Sequence, residues 1–174
     1  MGTNQRNQIV MSDTEIADFI RHSRTATLAT VGADGQPHLV AMWYGVVEPA
    51  ADAASPIPEV WFETKVKSQK AVNMLRDPRI TVMIEDGHTY DTLRGVAIEG
   101  TAEVLDDPDS CLQTGISVWE RYNGPYSEEL RPAVDAMMHK RVAVRVVPGR
   151  IRSWDHRKLN LPEMPVAGST AQYL

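Results

Sequence analysis

Thr25-Ala26-Thr27-Leu28-Ala29-Thr30-Val31-Gly32-Ala33-Asp34-Gly35-Gln36-Pro37 is the stretch that decides the fold. Ala26, Leu28 and Thr30 alternate with Thr25, Thr27 and Ala29, the period-two mark of a half-buried strand. Gly32-Ala33-Asp34-Gly35 reads as a turn, and Pro37 to Val47 resumes as a second strand. Upstream, Ser12-Asp13-Thr14-Glu15 is a capping box, with Ser12 as N-cap and Glu15 at the third helical position. Ile16, Phe19 and Ile20 then share one face at helical spacing, so a short amphipathic helix is predicted to about His22. The opening is therefore a helix followed by a β-hairpin.

Working outward, Glu48 to Pro58 holds three prolines and four alanines and is predicted to be a surface loop. Glu59 to Phe62 is a strand, and Lys67 to Arg76 has helical spacing at Ala71, Met74 and Leu75, stopped by Asp77-Pro78. Arg79 to Glu85 and Leu93 to Leu105 are strands, the second with Val96, Ile98, Gly100, Ala102 and Val104 on one side. Asp107 to Arg121 and Ser127 to Lys140 are predicted helices, separated by Asn123-Gly124-Pro125. Arg141 to Trp154 closes the core as a strand. Six strands and about four helices without βαβ alternation exclude a doubly wound sheet. They point to a mostly antiparallel barrel with helices packed outside.

Residues 1–11 are expected to fray, residues 12–160 to form one domain, and residues 161–174 to be an aperiodic tail. The chain's 174 residues suit a single domain at roughly 150 residues each. With 18 Lys and Arg against 23 Asp and Glu, the net charge is −5. A mildly acidic chain lacks the footprint of a dedicated nucleic-acid binder. No apolar run approaches the roughly 18 residues of a membrane span, and the N-terminus shows no signal region. A cytoplasmic protein is expected. Cys111, the one cysteine, reads as a buried thiol, and the five histidines lack ligand spacing, so no metal is expected.

No nucleophile elbow, glycine-rich phosphate loop or His-Glu-x-x-His helix is present, and no catalytic residue can be assigned. The stretch that could carry chemistry is Trp61-Phe62-Glu63-Thr64-Lys65-Val66-Lys67-Ser68-Gln69-Lys70. A strand ends near Thr64, and a helix starts with Ser68 as its N-cap. Free N–H groups, a hydroxyl and lysines together can form an anion site. On spacing alone the plainer reading, a capped surface helix with solvated lysines, is favoured.

The segment resembles the cofactor-phosphate motif of the pyridoxamine-phosphate-oxidase-like split-barrel family: a strand ending in Thr, Ser-Arg-Lys four residues on, then Asn/Asp-Pro-Arg. Thr64, Ser68 and Lys70 match, Gln69 stands in place of the family's Arg, and Asp77-Pro78-Arg79 matches the close. Leu28-Ala29-Thr30, Gly35-Gln36-Pro37 and Trp154 followed by basic residues extend the likeness over residues 12 to 160. It implies a six-stranded antiparallel split β-barrel and a homodimer with two cofactor sites across its interface. The Arg that pyridoxine-phosphate oxidases carry on the second strand is replaced at about Val40, and their Arg-Leu-His-Asp-Arg substrate motif is missing. His38-Leu39-Val40-Ala41-Met42-Trp43-Tyr44 and Ser153-Trp154-Asp155-His156-Arg157-Lys158-Leu159 are instead similar to the actinobacterial deazaflavin-dependent branch, which binds coenzyme F-420.

The likeness implies an oxidoreductase delivering hydride from reduced F-420 to an electron-poor small molecule. The alternatives are an FMN-dependent oxidoreductase and a flavin- or haem-binding protein without turnover. It implies that Lys70, with Ser68 and Gln69 at the helix start, holds the cofactor phosphate, and that Thr64 lies near the ring or ribityl chain. Backbone of Met42, Trp43 and Tyr44 would line the ring, and Trp154 would cover the site, from the second subunit. For Trp43, Trp61 and Trp154 the plainer reading is core or interface packing.

Overall fold

The structure is a computed structural model and describes residues 6–165. Strands β1 (Ala26–Val31), β2 (Pro37–Met42), β3 (Gly45–Val47), β4 (Glu59–Lys65), β5 (Arg79–Asp86), β6 (Arg94–Leu105) and β7 (Arg141–Asp155) form one sheet. Every pairing is antiparallel and the order is β2-β1-β5-β6-β7-β4-β3. The two edge strands, β2 and β3, are thus neighbours in sequence. In a flat sheet six gaps of about 4.8 Å would set those edges about 29 Å apart. The chain from Met42 to Gly45 can span at most about 11 Å. The sheet must curl until its edges meet, and the result is a split antiparallel barrel.

The single strand expected over Pro37 to Val47 is accordingly two, and the barrel has seven strands where six were expected. The break falls at Trp43-Tyr44, and its cause is Tyr44. That residue is fully buried, its hydroxyl shared between the carbonyls of Ile20 (2.7 Å) and Ser23 (3.0 Å). Its own N–H donates to Tyr122 Oη at 3.0 Å in place of a strand partner. With that N–H taken by a side chain, Tyr44 makes no ladder bond and the strand breaks there.

Helices cover the barrel. Ahead of α2 (Asp13–His22) the predicted capping box is present: the Glu15 N–H donates to Ser12 Oγ, and the Ser12 N–H donates to Glu15 Oε2 at 2.7 Å. Its buried face is Ile16, Ala17, Phe19 and Ile20, and Ile16, Phe19 and Ile20 join the strand core of Leu28, Phe62, Val82, Val96 and Val144. Helix α4 (Pro108–Tyr122) packs against β3 and β4 and carries α5 (Arg131–Met138) on its outer side. Part of the predicted Ser127–Lys140 helix is a 3-10 turn, Glu128–Leu130, and the helix stops at Met138. From residue 6 the segment expected to fray carries one helical turn, α1 (Arg6–Ile9). It lies against the end of β7, where the Met11 N–H donates to Ser153 Oγ at 3.0 Å. Glu48 to Pro58 has no helix or strand. No helix among the described residues is long and apolar enough to cross a membrane.

Candidate functional site

Helix α3 (Gln69–Arg76) begins directly after β4, and the turn between them builds the site. Ser68 caps the helix, its Oγ accepting the Ala71 N–H, and it lies 3.0 Å from Thr64 Oγ1. The Ser68 N–H closes the turn on the Lys65 carbonyl at 2.9 Å, and the Val66 N–H reaches the Lys140 carbonyl at 3.1 Å. Helical geometry leaves the N–H groups of Gln69 and Lys70 without an intrahelical acceptor. No acidic residue lies in this first turn. The helix end is therefore electropositive, with Lys70 adding a full charge.

A cavity of about 420 Å³ opens at this point. Thr64, Lys65, Ser68 and Lys70 form one wall; Ala41, Met42 and Trp43 at the end of β2 form another; Glu63 and Arg141 complete it. The structure brings together Met42, Trp43, Thr64, Ser68 and Lys70 of the residues expected here. Trp43 is 57% exposed, and its inner face lies parallel to Tyr122 with ring centroids 4.2 Å apart. That stack gives a large apolar side chain a fixed position at the cavity edge.

Three expected residues lie elsewhere within the chain. Tyr44 faces the core, and burial pushes its phenol up to about 12. The Gln69 side-chain amide donates to Asn73 Oδ1 at 2.9 Å and lines no part of the cavity. Asn73, fully buried, passes the connection on to Thr30 Oγ1 at 3.0 Å. Trp154 sits at the far end of β7 from Arg141, paired across the sheet with Gly95. A Cβ on Gly95 would come within 2.3 Å of the indole, so only glycine lets Trp154 lie flat on β6. Val40 packs against the core.

Glu63 and Arg141 were not singled out from the sequence. They form an ion pair inside the cavity, with side-chain exposures of 15% and 29%. Burial raises the Glu63 pKa, against the opposing pull of Arg141 and Lys70. The pairing of Lys65 with Arg141 brings the start of β7 to this wall, a contact no local motif records.

Two other cavities differ in kind. One, about 640 Å³ beside α2, is polar, but most of its charges are paired, among them Arg94 with Asp86 and Arg157 with Asp155. The other, about 440 Å³ beneath the Glu48–Pro58 loop, is walled mainly by apolar side chains such as Val60, Ile98 and Val146. The cavity at α3 combines unmatched positive charge with free donors, which is what an anion requires.

Comparison with known proteins agrees with this geometry. The family model described as pyridoxamine 5'-phosphate oxidase matches residues 12–155. The F420H(2)-dependent biliverdin reductase of Mycobacterium tuberculosis (strain CDC 1551 / Oshkosh) is 28% identical over 130 residues, 75% of this chain and 85% of that protein. The crystal structure of the conserved hypothetical protein Rv2991 from Mycobacterium tuberculosis is 61% identical, with a TM-score of 0.87 over 97% of this chain and 99% of that one. A structure named F420 Reductase is 27% identical, with a TM-score of 0.53 over 77% of this chain and 93% of that one. Split barrel, Thr-to-Ser turn and family match cover the same residues, and the chain belongs to the pyridoxamine 5'-phosphate oxidase family.

Proposed function

We propose that this protein is a coenzyme F-420-dependent oxidoreductase, transferring hydride between the reduced deazaflavin and an electron-poor small molecule. The observation that carries the reading is the acid-free start of α3, where Lys70 and Ser68 border one cavity and the first helical N–H groups have no intrahelical acceptor. This donor set fits a phosphate group. The likeness to two proteins whose names carry F420 supports deazaflavin over FMN. Gln69, turned toward Asn73 where the family's flavin motif has Arg, agrees with that choice.

The bound deazaflavin supplies the hydride chemistry, and the protein supplies binding and orientation. Lys70 and Ser68 hold the phosphate, and Thr64 orients the Ser68 hydroxyl through their 3.0 Å contact. Backbone at Met42 and Trp43 lines the ring, with Trp43 kept in place by Tyr122. Such a wall excludes water from one side of the reacting plane. The working unit in this reading is a homodimer in which Trp154 of the second copy covers the site. Exposed Leu39 on β2 and Met83 on β5 support an apolar contact between copies, since β1 lies between those two strands.

Titrating the purified protein with F-420, FMN, FAD and haem, followed by absorbance and fluorescence, tests this. A saturable F-420 response is expected. Tight FMN binding with no F-420 response overturns the reading, and stoichiometric haem replaces it with a binding protein. Light scattering that gives a stable monomer at micromolar concentration removes the contribution of Trp154 from a second copy.

A further inference from the structure

We propose that Arg141 is a second ligand for the cofactor's phosphate, held beside the start of α3 by Glu63 and transferred to the anion when it enters. The inference rests on the reading of the α3 cavity as the phosphate site, and extends it to a pair of residues that the motif does not contain.

Three observations carry it. The first is placement. Lys65 and Arg141 are cross-strand partners, and the Val66 N–H on the Lys140 carbonyl fastens the turn before α3 to the start of β7. Lys140 holds a left-handed backbone, φ 58°, to make that connection, a conformation unfavourable for a residue with a side chain. Arg141 is thus fixed at its backbone while its long side chain stays free to re-aim.

The second is the pair's position. Both side chains line the same cavity as Lys70 and are largely shielded from water, so their charges are screened less than those of a surface pair. A carboxylate on the wall of an anion site repels the anion unless a cation offsets it. Arg141 offsets Glu63 through their ion pair. A phosphate entering near Lys70 competes with Glu63 for the same guanidinium, whose planar fork can hold two oxygens at once.

The third is an exchange between positions. Gln69 carries no charge and is tied to Asn73, so it does not supply the cation that the family motif places there. Arg141 reaches the cavity from another strand and supplies one. Counting the walls, Lys65, Lys70 and Arg141 face a single Glu63. Removing the carboxylate then has a defined consequence: Arg141 is released to the ligand, and the repulsion disappears with it.

The test is F-420 binding by fluorescence titration at fixed ionic strength for wild type, Lys70→Ala, Arg141→Gln, Arg141→Lys and Glu63→Gln, with thermal melts to verify folding. Arg141→Gln is expected to weaken binding about 10-fold, Arg141→Lys to recover part of that loss, and Glu63→Gln to tighten binding about threefold or more. A loss for Glu63→Gln overturns the proposal, because the carboxylate would then serve binding and not restrain it. Arg141→Gln and Arg141→Lys both within twofold of wild type, while Lys70→Ala loses tenfold, overturn the role of Arg141 and leave the phosphate site standing. If folded wild type does not bind F-420 at all, the functional reading fails and this proposal fails with it. Arg141→Lys keeps the charge near Glu63, so it supplies the measurement should Arg141→Gln not fold.

Discussion

Helices α2 and α3 begin alike and differ in one respect that separates a structural helix start from a binding one. Both are capped by serine, Ser12 and Ser68, with the hydroxyl accepting the N–H three residues on. In α2 the first turn also contains Asp13 and Glu15, and Glu15 reaches back to the Ser12 N–H. The positive end of α2 is thereby answered from within the chain. Helix α4 is similar, with Asp107 as cap and Asp109 behind it. Helix α3 has no acid in its first turn and places Lys70 there instead. Its own sequence leaves the N-terminus electrostatically unfavourable, and an external anion is what relieves it.

The sharpest way to break this comparison is to make α3 resemble α2. Lys70→Glu should abolish F-420 binding, at least 100-fold, by setting a carboxylate in the phosphate's place. In the free protein the gain of about 0.3–1 kcal/mol from an acid complementing the helix dipole is opposed by repulsion from Glu63, so the melting temperature should change little. Unchanged F-420 affinity in the folded variant would break the argument. Lys70→Ala is the milder form. It should weaken binding roughly 10- to 100-fold, at about 1.4 kcal/mol per decade, since hydrogen bonds to charged groups contribute about 1.5–3 kcal/mol. Lys67, exposed and outside the cavity, is the control, and Lys67→Ala should change little. Wild-type affinity should fall with added salt more steeply than that of Lys70→Ala. Equal losses at both lysines would indicate a diffuse positive surface.

The two caps themselves come next. Ser12→Ala and Ser68→Ala should each cost about 1 kcal/mol of stability, the ordinary worth of an N-cap. That corresponds to a fall of roughly 2–4 °C in Tm for a chain of this size. Only Ser68→Ala should also weaken F-420 binding, because its hydroxyl borders the cavity and Ser12 Oγ does not. Thermal melts paired with titrations separate the two effects, and a binding loss from Ser12→Ala would erase the distinction.

Much of this contrast was legible in the sequence because it is local. The Ser12–Glu15 box, the Ser68 cap and the Asp77-Pro78 stop all depend on residues within four positions of one another. The hairpin at Gly32–Gly35 was equally readable, and with it the antiparallel sheet. What stayed hidden is non-local. The break at Trp43-Tyr44 is set by Tyr122 and by carbonyls at the end of α2, so an alternating run looked like one strand. Arg141 meets Lys65 only through the β4–β7 register, and Gln69 is turned aside by Asn73, whose burial no periodicity reveals. Trp154 was placed at the site by resemblance, and one chain alone sets it at the opposite end of β7.

The smallest effect expected is a pH dependence whose sign differs between the starts of α2 and α3. The Lys158 ammonium, 2.7 Å away, and then the Ser12 N–H hold the Glu15 carboxyl below its ordinary value. A carboxyl whose folded pKa is lowered contributes stability at pH values above its unfolded pKa, and loses it as pH falls through the folded one. Glu15 is about half exposed, so solvent screening keeps this contribution under about 1 kcal/mol. Glu15→Gln should therefore melt slightly below wild type at pH 7, and the gap should close as the solution is acidified below the usual carboxylate range. At α3 the carboxyl near the helix start is Glu63, shifted upward by burial, and its sign is reversed. Ionised Glu63 lowers stability above its folded pKa, and Glu63→Gln should gain on wild type as pH rises through that value. Opposite slopes for the two variants in melts between pH 3 and 8 are the expected result. Parallel slopes would mean that the two helix starts do not differ electrostatically in the way their sequences indicate.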